Sequence, residues 1–410
     1  MKIAMRDRYG GPELVEIREV ERPVPTDDQV LVKVHAASVN RADLDGLRPR
    51  WQFLRVFYGI RRPRSKTLGL DIAGVVDTLG PDATRFKVGD RVFADLYSFG
   101  QAGFAEYVCA RERAFQPMPP GLTFEDAASL PHSALLALQG LQLRNGRSVK
   151  PGDKVLIVGA SGNVGPFAVQ IAKSMGAEVT GVCRTEKMDF VRSLGADHVI
   201  DYTTTDYRQT GPYDWIVDVD AHHPTITNRR ALEPNGIYLA MGGSTAWMVT
   251  SILVLPLKRL FIGRRRMGML LSWRPFHRDD VAKLDELVAD GVVKPHIDRR
   301  YPLAEIVDAL RYVDEGRNVG KVIITVIDGA RGMPASGMTE VIDWLLDSDP
   351  AIRWQVMRDL THEPADVVAA ERARVAAEGW GAQLLARQAP DGLWAGKAWS
   401  HDWTDTFHVL

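Results

Sequence analysis

Residues 154–187, KVLIVGASGNVGPFAVQIAKSMGAEVTGVCRTEK, constrain the fold more than any other stretch of this chain. The apolar run Val155–Val158 reads as a buried strand, and it stops at Gly159. Gly162 and Gly165 follow, and a helical period begins there. A strand that enters a helix through such a turn leaves bare backbone N–H groups at the positive end of the helix dipole. That is where a pyrophosphate binds. The spacing is GxxGxxG, with Ala160 after the first glycine. Glycine spacing alone also fits a plain strand–turn–helix, but the strand before and the helix after it make a dinucleotide site the better reading. Gly159, Ser161, Gly162, Asn163, Val164 and Gly165 are therefore candidate cofactor contacts.

The flanking sequence repeats this rhythm. EVTGVC, HVIDY, YDWIVDV and GIYLAMGG are short apolar strands, separated by helical stretches ending near Met175 and Leu194. Strands alternating with helices imply a parallel sheet covered on both faces, the doubly wound α/β class. Before about Pro120 the pattern differs. QVLVKVHAASV, GLDIAGVVDTLG and FKVGDRVFA are short strands broken by Gly, Pro and Asp turns, with FKVGDRVFA read as two strands around a Gly-Asp turn. A partly closed β barrel accounts for them. At 410 residues more than one domain is expected. The boundaries read as a β-rich catalytic domain at 1–122, completed by 273–328, a nucleotide-binding domain at 123–272 and a helical extension at 334–410.

The end of the second strand of a dinucleotide domain reports the cofactor. An Asp or Glu there binds the ribose hydroxyls of NAD. Here the strand ends in Cys183-Arg184-Thr185, with Lys187 close by. A carboxylate at that point would repel a 2′-phosphate by several kcal/mol at an effective dielectric near 20, and its absence beside two cations favours NADP(H). The other reading is that both cations are simply solvated around Glu186.

With these motifs in place, residues 1–328 resemble the medium-chain dehydrogenase/reductase superfamily in its zinc-free, quinone-oxidoreductase-like branch. The likeness rests on YGGPE (9–13), ASVNRADL (37–44), LGLDIAGVV (68–76), FKVGDRVF (86–93) and GFAEYV (103–108). It continues through GASGNVG, SLGADHVIDY (193–202) and GKVIITV (320–326). The resemblance implies a GroES-like catalytic domain joined to a Rossmann domain. It also implies hydride transfer between NADPH and a small lipophilic quinone, enone or carbonyl/alcohol substrate, and a homodimer joined through the cofactor domain. Zinc-dependent members carry a cysteine ligand where this chain has Ser38, and a histidine ligand where it has Leu70. Leucine cannot bind zinc, and His35, His132, His222 and His223 show no paired ligand spacing, so no metal is expected.

Asn40 is the position chosen for orienting substrate or nicotinamide. Asp43 is a second catalytic candidate, with a helix-cap role as its alternative. Tyr202 resembles a family position near the adenosine phosphate, against a plain strand-end tyrosine, and Gly242 completes the candidate cofactor set. Two stretches depart from the family. Asp218-Val219-Asp220-Ala221-His222-His223 replaces the usual turn near the nicotinamide ribose; an exposed turn is the favoured reading, a titratable group near the active site the other. The basic, aromatic residues 46–66 read either as a pocket cover or as a solvated loop with a hydrophobic anchor.

The extension holds six of the 10 tryptophans. Ser348-Asp349-Pro350 reads as a helix cap with proline in the first turn, and Gln388–Trp394 resembles the glutamine–tryptophan repeat of squalene–hopene-cyclase-type toroids. No catalysis is assigned to it. A net charge of −1 gives no basic face for nucleic acid. The charged start argues against a signal peptide. The apolar run from Ala246 is broken by Pro256, too short for a membrane span. Two cysteines, Cys109 and Cys183, cannot make a disulfide framework, which fits a cytoplasmic chain. Two other functions remain open: a non-catalytic NADPH-binding scaffold, redox-sensing or interaction-based, and a docking module centred on the extension.

Overall fold

The structure is a computed structural model that describes residues 1–48, 59, 61–243, 265–270, 274–326, 346, 350–359, 364–378 and 382. The chain divides into two units, Met1–Asp328 and Gly329–Leu410.

The first unit contains two large sheets. One is parallel, with strands in the order His198–Asp201, Glu178–Cys183, Lys154–Val158, Tyr213–Asp218, Leu232–Ala240 and Arg266–Met269. Order reverses beside Lys154–Val158, which places a crevice at the carboxyl ends of that strand and of Tyr213–Asp218. The five strands legible in the sequence are all present. The sixth, Arg266–Met269, had no apolar run to announce it; it pairs with Ile237–Ala240 through backbone register. Fully buried side chains of the central strands, Val155, Leu156, Ile157, Ile216 and Val217, explain their continuous apolar sequence.

The other sheet is organised around Gln29–Val39, an eleven-residue strand. Its first half pairs antiparallel with Tyr107–Arg111, its second half with Lys321–Thr325, and most of its length with Asp71–Leu79. Ile297–Pro302, Arg91–Asp95 and Gln116–Pro117 complete the sheet. In FKVGDRVFA only the second half is a strand. Lys87–Asp90 closes a turn in which Asp90 Oδ2 accepts the Lys87 amide at 2.8 Å and Gly89 takes φ +94°. From Ile297 onward the last segment thus returns to the sheet built on Gln29–Val39, the sheet of the N-terminal region. The preceding helix, Arg278–Ala289, instead buries Val281 and Leu284 in the core shared with the parallel sheet.

The second unit contains helices Pro350–Asp359 and Ala365–Arg374. Pro350 opens its helix, where its missing N–H costs nothing. Glu371 is nearly buried and is met by Arg353 and Arg374, each at 3.1 Å. Trp354 lies under the guanidinium groups of Arg358 and Arg372, 4.7 and 4.9 Å from the ring centroid. The Gln388–Trp394 stretch, the run from Ala246 and most of residues 49–60 lie outside the described residues.

Candidate active site

Strand register assembles one end of the site. Ser38 lies opposite Asp71, and Asp71 opposite Asp95. Val322 lies opposite Val39, which brings Lys321 beside Asn40 at the strand end. Ser38, Asn40, Asp71, Asp95, Ser133 and Lys321 are all buried. Two carboxylates directly opposite one another repel, and burial deepens the penalty unless a cation and hydrogen bonds offset it. Lys321 Nζ is that cation. It lies 3.6 Å from Asp71 Oδ2 and donates to Asn40 Oδ1 at 2.7 Å and to Ser133 Oγ at 3.0 Å. Asp71 also accepts from Asn40 Nδ2 at 2.9 Å, Ser38 Oγ at 3.2 Å and the His132 amide at 3.0 Å. Burial pushes the Asp71 carboxyl up, to about 6, with the Lys321 ammonium opposing it; the same burial pushes Lys321 down.

Asn40 is thus held through both ends of its amide, since Oδ1 also accepts from Ser133 Oγ at 3.1 Å. Asp43 does something else. It accepts the Asn40 amide at 2.8 Å and the Gly69 amide at 3.2 Å, closing a capping box at the start of helix Arg41–Leu47. It does not line the cavity described below, so the expectation of a polar contact with substrate at Asp43 gives way to the capping role. Burial, first of all, raises its carboxyl to about 7.

The glycine turn supplies the middle of the site. Gly159 takes φ +79°, a conformation that favours glycine. A Cβ on Gly165 would lie 2.2 Å from the Gly159 carbonyl oxygen, so helix Gly165–Ser174 approaches the strand only because that side chain is missing. Gly162 is different: a Cβ there would make only an ordinary 3.5 Å contact. The protein leaves that space open at a helix N-terminus, as a phosphate cradle requires. Three hydrogen bonds tie the turn to the catalytic sheet: Asn163 Nδ2 to Val39 O at 2.9 Å, Asn318 Nδ2 to Asn163 Oδ1 at 2.7 Å, and Gly320 N to Ser161 O at 3.0 Å.

At the far end Arg184 Nε donates to Tyr202 Oη at 2.7 Å, and Tyr202 is half exposed. Lys187 Nζ donates to the carbonyls of Gly316 and Asn318, each at 2.8 Å, so its charge is committed to that turn. Burial, then Arg184, holds the Lys187 ammonium below its usual range. Asp201, the acidic residue ending the next strand, is turned into its own loop by Thr203.

A cavity of about 370 Å³ joins these parts. Asn40, His132, Ser133, Gly159, Ser161, Gly162, Asn163, Val164, Arg184, Lys187, Tyr202 and Gly242 all line it; Gly165 stands behind the wall. A second cavity of about 550 Å³ shares Gly159 and Tyr202 and continues along residues 203–208. Both are within the ~300–1,000 Å³ range of small-molecule sites. The stretch 218–223 is not a simple exposed turn. Asp218 is fully buried, with Tyr238 Oη donating to it at 2.7 Å, and burial lifts its carboxyl to about 7. Asp220 and His222 form a 2.9 Å pair on the wall shared by both cavities.

Sequence reasoning missed Asp71, Asp95, His132, Ser133 and Lys321. The signal for Lys321 lay in GKVIITV and for Asp71 in LGLDIAGVV, but only strand register brings them together.

A parallel sheet of Rossmann order, a glycine cradle and an adjoining polar pocket define a nicotinamide-dependent oxidoreductase. Comparison with known proteins gives the family. Residues 26–120 match the model described as alcohol dehydrogenase GroES-like domain, and residues 194–324 the model described as zinc-binding dehydrogenase. The chain is 32% identical over 365 residues to the human mitochondrial NAD(P)H oxidoreductase RTN4IP1, covering 78% of this chain and 88% of that protein. It is 32% identical over 331 residues to the chloroplastic quinone-oxidoreductase homolog of Spinacia oleracea, covering 77% and 95%. The structure of the quinone oxidoreductase from Coxiella burnetii superposes with a TM-score of 0.69 at 29% identity, over 80% of this chain and 99% of that one. The chain belongs to the medium-chain dehydrogenase/reductase superfamily, in its quinone-oxidoreductase-like branch. Among the described residues no helix is long and apolar enough to cross a membrane, and no group of three or more His, Cys, Asp or Glu side chains is placed to hold a metal ion.

Proposed function

We propose that this protein is an NADP-dependent, zinc-independent oxidoreductase that reduces a small lipophilic quinone, enone or related carbonyl compound. One observation carries the reading: a single cavity runs from the buried Asn40–Lys321 cluster, past the open glycine cradle, to Arg184 and Tyr202. Gly159, Ser161, Gly162, Asn163, Val164 and Gly242 would hold the dinucleotide, with Gly165 letting the helix close on the strand. Arg184, braced by Tyr202, would meet the 2′-phosphate. Lys187 serves as a clamp beneath it. When bound, NADPH supplies the hydride. Asn40, fixed by four partners, holds the wall against which the acceptor lies, and this placement is what hydride transfer most needs.

Zinc has no part in this reading, because the residues present do not fit it. Ser38 and the buried Leu70 stand where zinc-dependent relatives have ligands, and the Lys321 ammonium is already the cation of the cluster. The domain division at 122/123 and 272/273, homodimerisation and a cytoplasmic location belong to the same proposal. The last of these rests on composition alone, and some relatives are mitochondrial or chloroplastic by name.

NADPH absorbance followed with a panel of quinones, enones, aldehydes and ketones tests the proposal. Turnover with at least one class, faster with NADPH than with NADH, is the expected result. Tight NADPH binding without turnover across the panel would leave a binding scaffold instead.

A further inference from the structure

The cavity wall holds a histidine that the reading above does not use. His132 begins the first turn of helix Pro131–Leu141, and its ring is nine-tenths buried yet lines the cavity beside Asn40 and Ser133. Its Nδ1 lies 2.9 Å from Asp95 Oδ2. Asp95 is itself fixed, because its other oxygen accepts the Tyr97 amide at 2.9 Å. An imidazole whose Nδ1–H donates to a buried carboxylate has its ring plane set, and as an imidazolium it carries its second proton on Nε2. The titratable groups facing it are Asp95 and Asp71 from the strands, Asp43 from helix Arg41–Leu47, Tyr97, and Lys321, which counts against its charge. Desolvation also opposes protonation, but the carboxylates outweigh both, and the imidazole titrates above its ordinary range.

We propose that His132 is the proton donor to the reduced acceptor, with Asp95 as the positioning residue that orients and charges it. The proposal rests on the reductase reading given above. For an enone, the C–H bond at the dihydronicotinamide carbon breaks and a C–H bond forms at the β-carbon of the acceptor. The displaced electron pair moves to the carbonyl oxygen, giving an enolate while NADPH becomes NADP⁺. His132 then transfers the proton on Nε2 to that oxygen, forming the enol and neutral imidazole. The enol tautomerises after release, and water in the cavity returns a proton to His132. The developing negative charge thus meets a preorganised imidazolium whose ring is nine-tenths buried.

The test is the pH dependence of kcat for the wild type, His132→Gln and Asp95→Asn with an enone, together with NADPH binding by fluorescence. Wild-type kcat should fall as pH rises through the raised titration of His132. His132→Gln should lower kcat by ~10²–10⁴-fold, the usual worth of a general acid, and lose that limb, while NADPH affinity is unchanged. Asp95→Asn should move the limb to lower pH, because the charge that raises it is gone; a merely structural role for the pair would not shift it. A His132→Gln variant with wild-type kcat and the same limb overturns the proposal. If His132→Gln fails to fold, an unmoved limb in Asp95→Asn does so alone. A wild type that binds NADPH yet turns over none of the acceptors in the panel refutes the reductase reading itself, a result readily told apart from these.

Discussion

The two ends of the cavity solve opposite electrostatic problems. At the catalytic end, Asp71, Asp95, His132 and Lys321 are out of water and balance one another through short contacts. At the cofactor end, Arg184 and Tyr202 are largely in solvent and joined by one hydrogen bond. Charges in the first group are structural before they are chemical, since removing one leaves its partner buried and unpaired. Charges in the second group are screened, and they matter only when a ligand arrives. One end should therefore tie function to stability, and the other should leave the two separable.

The largest expected effect is at the buried end. Lys321→Met leaves Asp71 without its cation and should lower unfolding stability by about 3–5 kcal/mol in urea titrations. Adding Asp71→Asn should recover part of that loss. A single variant as stable as the wild type would mean that the hydrogen bonds to Asp71 suffice and the cluster is not charge-balanced. The smaller effect is at the exposed end. Arg184→Asp should leave the urea midpoint where it is, yet reduce the NADPH/NADH ratio of kcat/KM at least tenfold, about 1.4 kcal/mol. An unmoved ratio would remove Arg184 from cofactor choice and collapse the contrast between the two ends.

The same contrast explains what the sequence made legible. The glycine turn, the strand after it and Arg184 are contiguous, so their spacing shows in one stretch of the chain. The helix beginning at Gly165 and the strand ending at Cys183 were readable from period and from punctuation by glycine. The buried cluster is built differently. Asn40 and Lys321 meet across a separation of 281 residues because Val39 and Val322 share a register position, and no local pattern records a register. His132 looked like an isolated histidine, because Asp95 reaches it from another element. Of the two roles the sequence left open for Asp43, the geometry serves the cap: Asn40, three residues earlier, faces the cavity, while the Asp43 carboxylate turns back to the helix start. At 218–223 polarity suggested a solvent-facing turn, but Asp218 ends a central strand, and its burial is set by the sheet. Arg266–Met269 escaped notice because an edge strand needs only one buried face.

The central claim is that hydride transfer here runs on NADPH with Lys321, not zinc, as the cation of the catalytic end. The direct measurement is the rate of NADPH oxidation, with the best acceptor of the panel, after exhaustive dialysis against a zinc chelator and again after zinc is restored. The account predicts the same rate before dialysis, after it and after zinc is added back. A rate that disappears with the metal and returns with zinc would contradict it.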